Sequence, residues 1–365
     1  MTMESKRLLS IDALRGFDMF FIMGFASLVV AVCALFPGGA DGWLARQMSH
    51  PSWNGLSHHD TIFPLFLFIS GMTFPFSLAK SREKGMNDKQ IARKVLVRGL
   101  ILIALGFVYN YIFQLKLSTF RFYSVLGRIG LAWMLAAWLY MVCGKKARAV
   151  IAAAILVGYN LLLLIPAPDA PGASSLSLEG NIVGYIDRLL LPNHLLYSAG
   201  FDPEGLLSNL PAVVTAMLGQ FTGEFVKDSE TKNKTLRMLV AAAVLLALGL
   251  LWSLWFPINK KLWTSSFVLV VGAYSVALFA IFYWLIDVKG WKKWALFFQV
   301  IGLNSITIYM LQRIVPFSEI NRFFLGGVAG LCPEPVGRVI FAVGYIVWSW
   351  LVLWFLYRQR VFLKV

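Results

Sequence analysis

The chain has 365 residues, of which 59% are hydrophobic and 14% charged, and its mean hydropathy is +0.71. Soluble domains carry about 45–50% apolar and about 25% charged residues, so this composition excludes an ordinary soluble domain. A net charge of +15 would suit nucleic acid, but the charge lies in short stretches between long apolar runs, which is a membrane pattern and excludes that partner.

A bilayer core of about 30 Å needs about 20 apolar residues per helix. Such runs are predicted at residues 11–36, 59–79, 95–115, 125–143, 149–166, 205–226, 236–256, 263–286, 294–313 and 336–357. Only helices satisfy their backbone groups within one crossing. The expected fold is therefore all-α: a polytopic transmembrane helix bundle of about ten helices, forming one domain over residues 1–365. Ten crossings return both termini to one side. Of the 33 Lys and Arg residues, 23 fall in the loops and flanks of that side. The positive-inside rule makes it cytoplasmic. Two long loops, residues 37–58 and 167–204, then face outward, and loops of that length are usually functional or disordered. No cleavable signal peptide is expected, because the polar start runs straight into a long apolar span. Cys33, Cys143 and Cys332 are odd in number and far apart, which gives neither a disulfide framework nor a metal cluster.

All four histidines, His50, His58, His59 and His194, fall on the outward side. Histidine is the side chain suited to proton transfer near neutral pH. Each also reads simply as a hydrogen-bonded loop or interface residue. His58 and His59 are adjacent and diverge on a helix, so the three or four convergent ligands of a metal site are not expected. Asp12 and Arg15, three apart at the start of the first span, share a face and pair, either as a structural bridge or as part of a cofactor site. Asp18 follows them. Asp60 opens the second span, where a carboxylate complements the helix dipole. Arg98 sits early in the third span and can snorkel to the inner surface. Arg128 lies among apolar neighbours in LGRIG, and Asn304 lies mid-span in GLNSITIY and needs a polar partner.

The second outward loop carries Asp187 and Arg188 beside Tyr185, too specific a set for a linker. Asp202 and Glu204 in DPEG suit a helix start, or a carboxylate pair facing a cationic acceptor. Asn259, Lys261 and Trp263 in INKKLW suit an interface anchor or a binding turn. There is no GxxxxGKS/T, GxSxG or HExxH motif. From the residues alone, the reading is a polytopic protein with an outward polar site. An enzyme and a small-molecule transporter both remain open.

Eight blocks in register carry a resemblance: SIDALRG (10–16), HPSWNG (50–55), DTIFPLFLFISG (60–71), VLGRIG (125–130), GYIDRLLL (184–191), DPEGLL (202–207), INKKLWTSSF (258–267) and GLNSITIY (302–309). Together they resemble the heparan-alpha-glucosaminide N-acetyltransferase family and its bacterial relatives of the DUF5009 type, over about residues 8–310. The resemblance implies a transmembrane acyltransferase of the bacterial inner membrane. It would move acetyl from cytosolic acetyl-CoA to an amino-sugar, glucosamine-like or glycan acceptor on the outer side. The family's active histidine, which precedes SWNG, carries over to His50. Here Pro51 intervenes before Ser52, and a counterpart of the animal enzyme's large soluble N-terminal part is not expected.

The resemblance makes His50 the candidate active histidine, either a general base or an acetyl-carrying nucleophile. Beside it, Asp60 and Arg128 are the candidate catalytic residues from the residue reading: Asp60 or Glu204 to orient the imidazole or bind the amine, and Arg128 or Asn304 to stabilise the thioester oxyanion. Trp53, Asn54, Asp187, Arg188, Asp202, Glu204, Asn259, Lys261 and Trp263 are candidates for the acceptor. Asp12, Arg15, Arg98 and Asn304 are candidates for acetyl-CoA. No metal is expected. The alternative is an amino-sugar transporter. A homodimer is open, since no decisive GxxxG face is present.

Overall fold

The computed structural model describes residues 8–111, 120–198 and 200–363. Its regular structure is helical. Among the described residues the only β pairing is two isolated bridges, Pro166 with Asn181 and Ser198 with Phe201. In chain order the helices are α1 (Leu9–Phe20), α2 (Ala26–Cys33), α3 (Trp43–Arg46), α4 (His58–Glu83), α5 (Asp88–Tyr111), α6 (Val125–Val142), α7 (Lys145–Leu163), α8 (Ile182–Leu190), α9 (Asn209–Lys227), α10 (Lys234–Trp252), α11 (Ser265–Tyr283), α12 (Ala295–Leu303), α13 (Ser305–Ile314), α14 (Phe317–Gly330) and α15 (Glu334–Arg358).

Every predicted span overlaps helical structure, but 11–36 is divided by a turn at Phe21–Phe25 and 294–313 falls on two helices, and the end of the span drawn to residue 115 lies outside the described residues. Seven helices among the described residues are long and apolar enough to cross a membrane: Leu9–Cys33, His58–Glu83, Val125–Val142, Lys145–Leu163, Lys234–Trp252, Ser265–Val288 and Glu334–Arg358. The pair α12 and α13 makes an eighth if it is counted as one span, but it is bent by 68°. Helices α5 and α9 have 24 and 19 residues, which is spanning length, and stand outside that set. The interior of α9 carries Gln220 and Glu224.

The chain divides into two compact units, each built from discontinuous segments. The first takes the described residues of Met1–Pro51, Ser57–Ile62 and Leu278–Lys364. Its centre is an antiparallel pairing of α1 with α12 at backbone contact. A Cβ on Gly16 would lie 1.7 Å from the Phe298 carbonyl oxygen, and one on Gly302 would lie 1.9 Å from that of Asp12. Only glycine permits this approach. Aromatic rings close the seam: Phe17 meets Phe298 at 5.6 Å, Phe20 meets Phe297 at 5.3 Å, and Phe297 stacks on Trp350 of α15 at 5.5 Å. A π-turn at Phe21–Phe25, with Gly24 at φ 133°, joins α1 to α2. Helix α14, in a segment with no predicted span, pairs with α15 through Asn321 Nδ2 donating to the Phe341 carbonyl at 2.8 Å. Its 14 residues, FSEINRFFLGGVAG, are too mixed to read as a span.

The second unit takes Ser52–Leu56 and Phe63–Ala277. Here α4 and α9 touch through backbone, since a Cβ on Gly219 would lie 2.0 Å from the Phe68 carbonyl oxygen and one on Gly71 would lie 2.0 Å from that of Ala216. Trp133 of α6 donates to the Ser70 carbonyl at 3.1 Å. An ion pair joins α7 to α9, Arg148 Nη2 to Glu224 Oε1 at 2.6 Å, with Tyr140 4.2 Å from the guanidinium.

Candidate active site

In the first unit, the segment between α3 and α4 folds onto the first turn of α4. Gln47 accepts from the His58 N–H through its side chain at 2.9 Å, and from the His59 N–H through its carbonyl at 3.0 Å. One residue thus satisfies two of the amides that a helix start leaves open. Asp60 follows, 1% exposed. Its Oδ2 accepts from the Ser57 N–H at 3.1 Å and the Ser57 hydroxyl at 3.2 Å. Its Oδ1 lies 2.7 Å from His50 Nδ1. A carboxylate that already accepts twice accepts here too, which puts the shared proton on Nδ1 and the ring's lone pair on Nε2. The His50 side chain is half exposed. The rings of His50 and His59 meet at 4.6 Å, whereas that of His58 packs on Phe21 at 4.3 Å.

Three of the four residues expected to hold acetyl-CoA share one end of this unit. Asp12 and Arg15 approach to 3.7 Å. Gly302 abuts the Asp12 carbonyl, and Asn304 follows two residues later. Asn304 marks the break between α12 and α13. Its amide nitrogen donates to the Val361 carbonyl at 3.1 Å, and its oxygen accepts from the Leu363 N–H at 3.3 Å. The polar partner that the sequence demands for Asn304 is therefore the segment after α15. Arg98 lies in the second unit, its guanidinium 4.5 Å from the Trp133 ring.

The second unit holds a buried ionic network. Arg121 grips Asp202 with a fork, Nε at 2.8 Å and Nη2 at 2.6 Å, and also bonds Glu204. Asp202, fully buried, accepts further from the Tyr197 N–H at 3.1 Å and the Glu204 N–H at 2.9 Å. The Tyr197 ring lies 4.6 Å from the Arg121 guanidinium. Burial opposes ionisation of Glu204, but Arg121, Arg128 and Lys260 outweigh it and hold this carboxyl below its usual range. Arg128, 2% exposed, donates from Nη2 to the Pro203 carbonyl at 2.5 Å and to the Ser208 hydroxyl, and stands 4.8 Å from the Trp263 ring. Asp187 accepts from the Leu206 N–H at 3.0 Å. Burial first, and the nearby Asp202 second among the raising causes, push its carboxyl up to about 7. Arg188 forks Asp169 at 2.8 Å on both bonds.

The residues after His50 are clamped within this second unit. Lys261 donates to the Ser52 carbonyl and lies 5.7 Å from the Trp53 ring. Asn259 donates to the Asn54 side chain at 2.9 Å, and the Gly55 N–H donates to the Ile258 carbonyl at 2.9 Å. Trp53 donates to the Leu176 carbonyl at 2.8 Å. Trp263, fully buried, holds φ at 55°, a left-handed value unusual for a large side chain. The predicted acceptor residues thus gather in one unit, but Asp202 and Glu204 are already matched to cations of the protein. His194 is exposed in a short 3₁₀ turn.

Sequence reasoning missed Gln47, Ser57 and Arg121, and also Tyr123, whose side chain hydrogen-bonds Asp187. The signal for Arg121 was the DPEG carboxylate pair, which needs a cation if it is buried. No group of three or more His, Cys, Asp or Glu residues that could hold a metal occurs among the described residues.

No family model matches the chain. Two curated proteins are similar to it over most of its length. The heparan-alpha-glucosaminide N-acetyltransferase of Homo sapiens is 25% identical over 420 aligned positions, covering 98% of this chain and 60% of the human protein. The heparan-alpha-glucosaminide N-acetyltransferase of Mus musculus is 27% identical over 376 positions, covering 86% of this chain and 55% of the mouse protein. The chain therefore spans less than two thirds of either relative.

Proposed function

We propose that this homologue of the heparan-alpha-glucosaminide N-acetyltransferases is a membrane-embedded N-acetyltransferase. It takes acetyl from acetyl-CoA on the cytoplasmic side and passes it to an amino-sugar acceptor on the other. The observation that carries the reading is the 2.7 Å contact between His50 Nδ1 and the buried Asp60 carboxylate. A carboxylate there fixes the tautomer and orients the ring, as in other acyl-transfer sites.

His50 Nε2 acts as general base. It removes a proton from the acceptor nitrogen as that nitrogen attacks the thioester carbon, and returns it to the departing sulfur. Arg128 is proposed for its donors alone: within the second unit it is buried, and Nε and Nη1 make no hydrogen bond, which suits a negative oxygen. Trp53, Asn54, Asn259, Lys261 and Trp263 shape the acceptor side. Asp12, Arg15, Arg98 and Asn304 are proposed for the acetyl-CoA side, where basic inner loops suit an anionic nucleotide. Both termini then lie in the cytoplasm, and the membrane is the bacterial inner membrane.

The test is acetyl transfer by the purified full chain, with labelled acetyl-CoA and glucosamine, beside His50→Ala. Acetylated product from wild type only is the expected result. Wild-type protein that moves glucosamine across a vesicle membrane without acetyl-CoA would make it a transporter instead.

A further inference from the structure

The reaction just proposed contains more proton traffic than one imidazole carries. An amino sugar near neutral pH is largely an ammonium ion, which has no lone pair for attack. Its conversion to an amide forms a C–N bond and breaks the C–S bond. Two protons leave the nitrogen. One ends on the sulfur of coenzyme A, and the other goes to solvent. His50 has Nδ1 committed to Asp60, so Nε2 handles one proton at a time. That serves the second deprotonation, and the first needs an acceptor of its own, either water or a second side chain.

His59 stands where that base is needed. Its ring meets the His50 ring at 4.6 Å with the planes 59° apart. Rings this close and this tilted can both reach one small group, such as an amine. His59 is also held firmly, since its N–H donates to the Gln47 carbonyl at 3.0 Å in the first turn of α4, one residue before Asp60. His58 is not equivalent, because its ring packs on Phe21. The titratable groups near His59 include His50 from the preceding loop and His58 and Asp60 on its own helix.

We infer that His59 is a second catalytic base of the His50 site, which takes the first proton from an ammonium acceptor and releases it to solvent. The inference rests on the acetyl-transfer reading. It also assigns an acceptor class: an amine that arrives protonated.

The test is the pH dependence of kcat/KM for glucosamine in wild type, His59→Gln, His59→Phe and His50→Ala. Glutamine and phenylalanine both lack the base, and phenylalanine keeps a ring against His50. Both His59 variants should lose about 30-fold near pH 6.5, where an amine of pKa about 7.7–8.0 is only a few per cent free base. The loss should shrink to about twofold near pH 9, where an amine is already its free base. A merely structural role would lower activity equally at every pH, whereas His50→Ala should show no transfer at any pH. A parallel loss at all pH values in the His59 variants, or full activity near pH 6.5, would overturn the inference. Wild type that transfers acetyl to no amine would overturn the underlying reading, and this inference with it.

Discussion

His50 and Asp60 are ten residues apart in sequence and meet at 2.7 Å, one half exposed and the other 1% exposed. The buried partner is the one with the fixed geometry, because Ser57 holds its second oxygen twice. Asp60→Asn keeps the shape and removes the charge. Its kcat/KM should fall by about 10²–10⁴-fold, with acetyl-CoA binding little changed. Steady-state kinetics and equilibrium binding of acetyl-CoA check this, and near-normal turnover would contradict it.

Arg121 hydrogen-bonds both Asp202 and Glu204. Arg121→Ala would leave two buried carboxylates without it. The expected cost is about 3–5 kcal/mol, read as a lower unfolding temperature in detergent. Arg121→Lys should recover part of that, because it restores the charge but not the fork.

Asp187 predicts a pH effect on stability. Its carboxyl stands at about 7 in the fold, against about 3.9 for an unfolded aspartate. The folded state therefore holds a proton that the unfolded chain releases. The associated stability is complete below about pH 4 and is lost as pH rises through about 7. Asp187→Asn keeps an acceptor for the Leu206 N–H and cannot titrate. Thermal unfolding from pH 4 to 8 should show a steeper loss in wild type than in the variant.

Gly302→Ala would place a methyl group 1.9 Å from the Asp12 carbonyl. The helices α1 and α12 would have to part, at a cost of about 1–3 kcal/mol or more. A drop in unfolding temperature would register it. Gly327→Ala, where nothing lies within 4 Å of the added carbon, should not produce that drop.

Arg360 holds φ at 56° just before the segment that Asn304 grips. Arg360→Gly should relieve that backbone strain and stabilise the protein by up to about 1 kcal/mol. A lowered unfolding temperature would show that the arginine side chain matters more than its backbone.

The helices were legible because twenty-residue apolar runs leave the backbone no other choice in lipid. Helix α14 was not, because its SEINR stretch interrupts the apolar pattern before FFLGG. The break at Asn304 was not, because a single asparagine in an apolar run gives no local sign of a 68° bend. Asp12 with Arg15 could be read from spacing alone, since one helix carries both. Arg121 with Asp202 could not, because 81 residues separate them and only tertiary folding decides which cation a buried carboxylate finds. His50 and Asp60 were each singled out, but their pairing depends on how Gln47 and Ser57 fold the intervening loop.

The first unit is assembled from both ends of the chain. During synthesis α1 emerges well before α12, the helix that covers Gly16, which begins at Ala295. At about 5–20 residues per second, ribosomes need roughly 15–60 s to make the intervening stretch. Throughout that interval the glycine face of α1, with Asp12 and Arg15 beside it, must wait in or at the membrane without α12. Insertion factors that shelter a polar helix should therefore bear on the yield of this protein more than on its finished stability. A nascent chain arrested before residue 295 should cross-link to such a factor through α1.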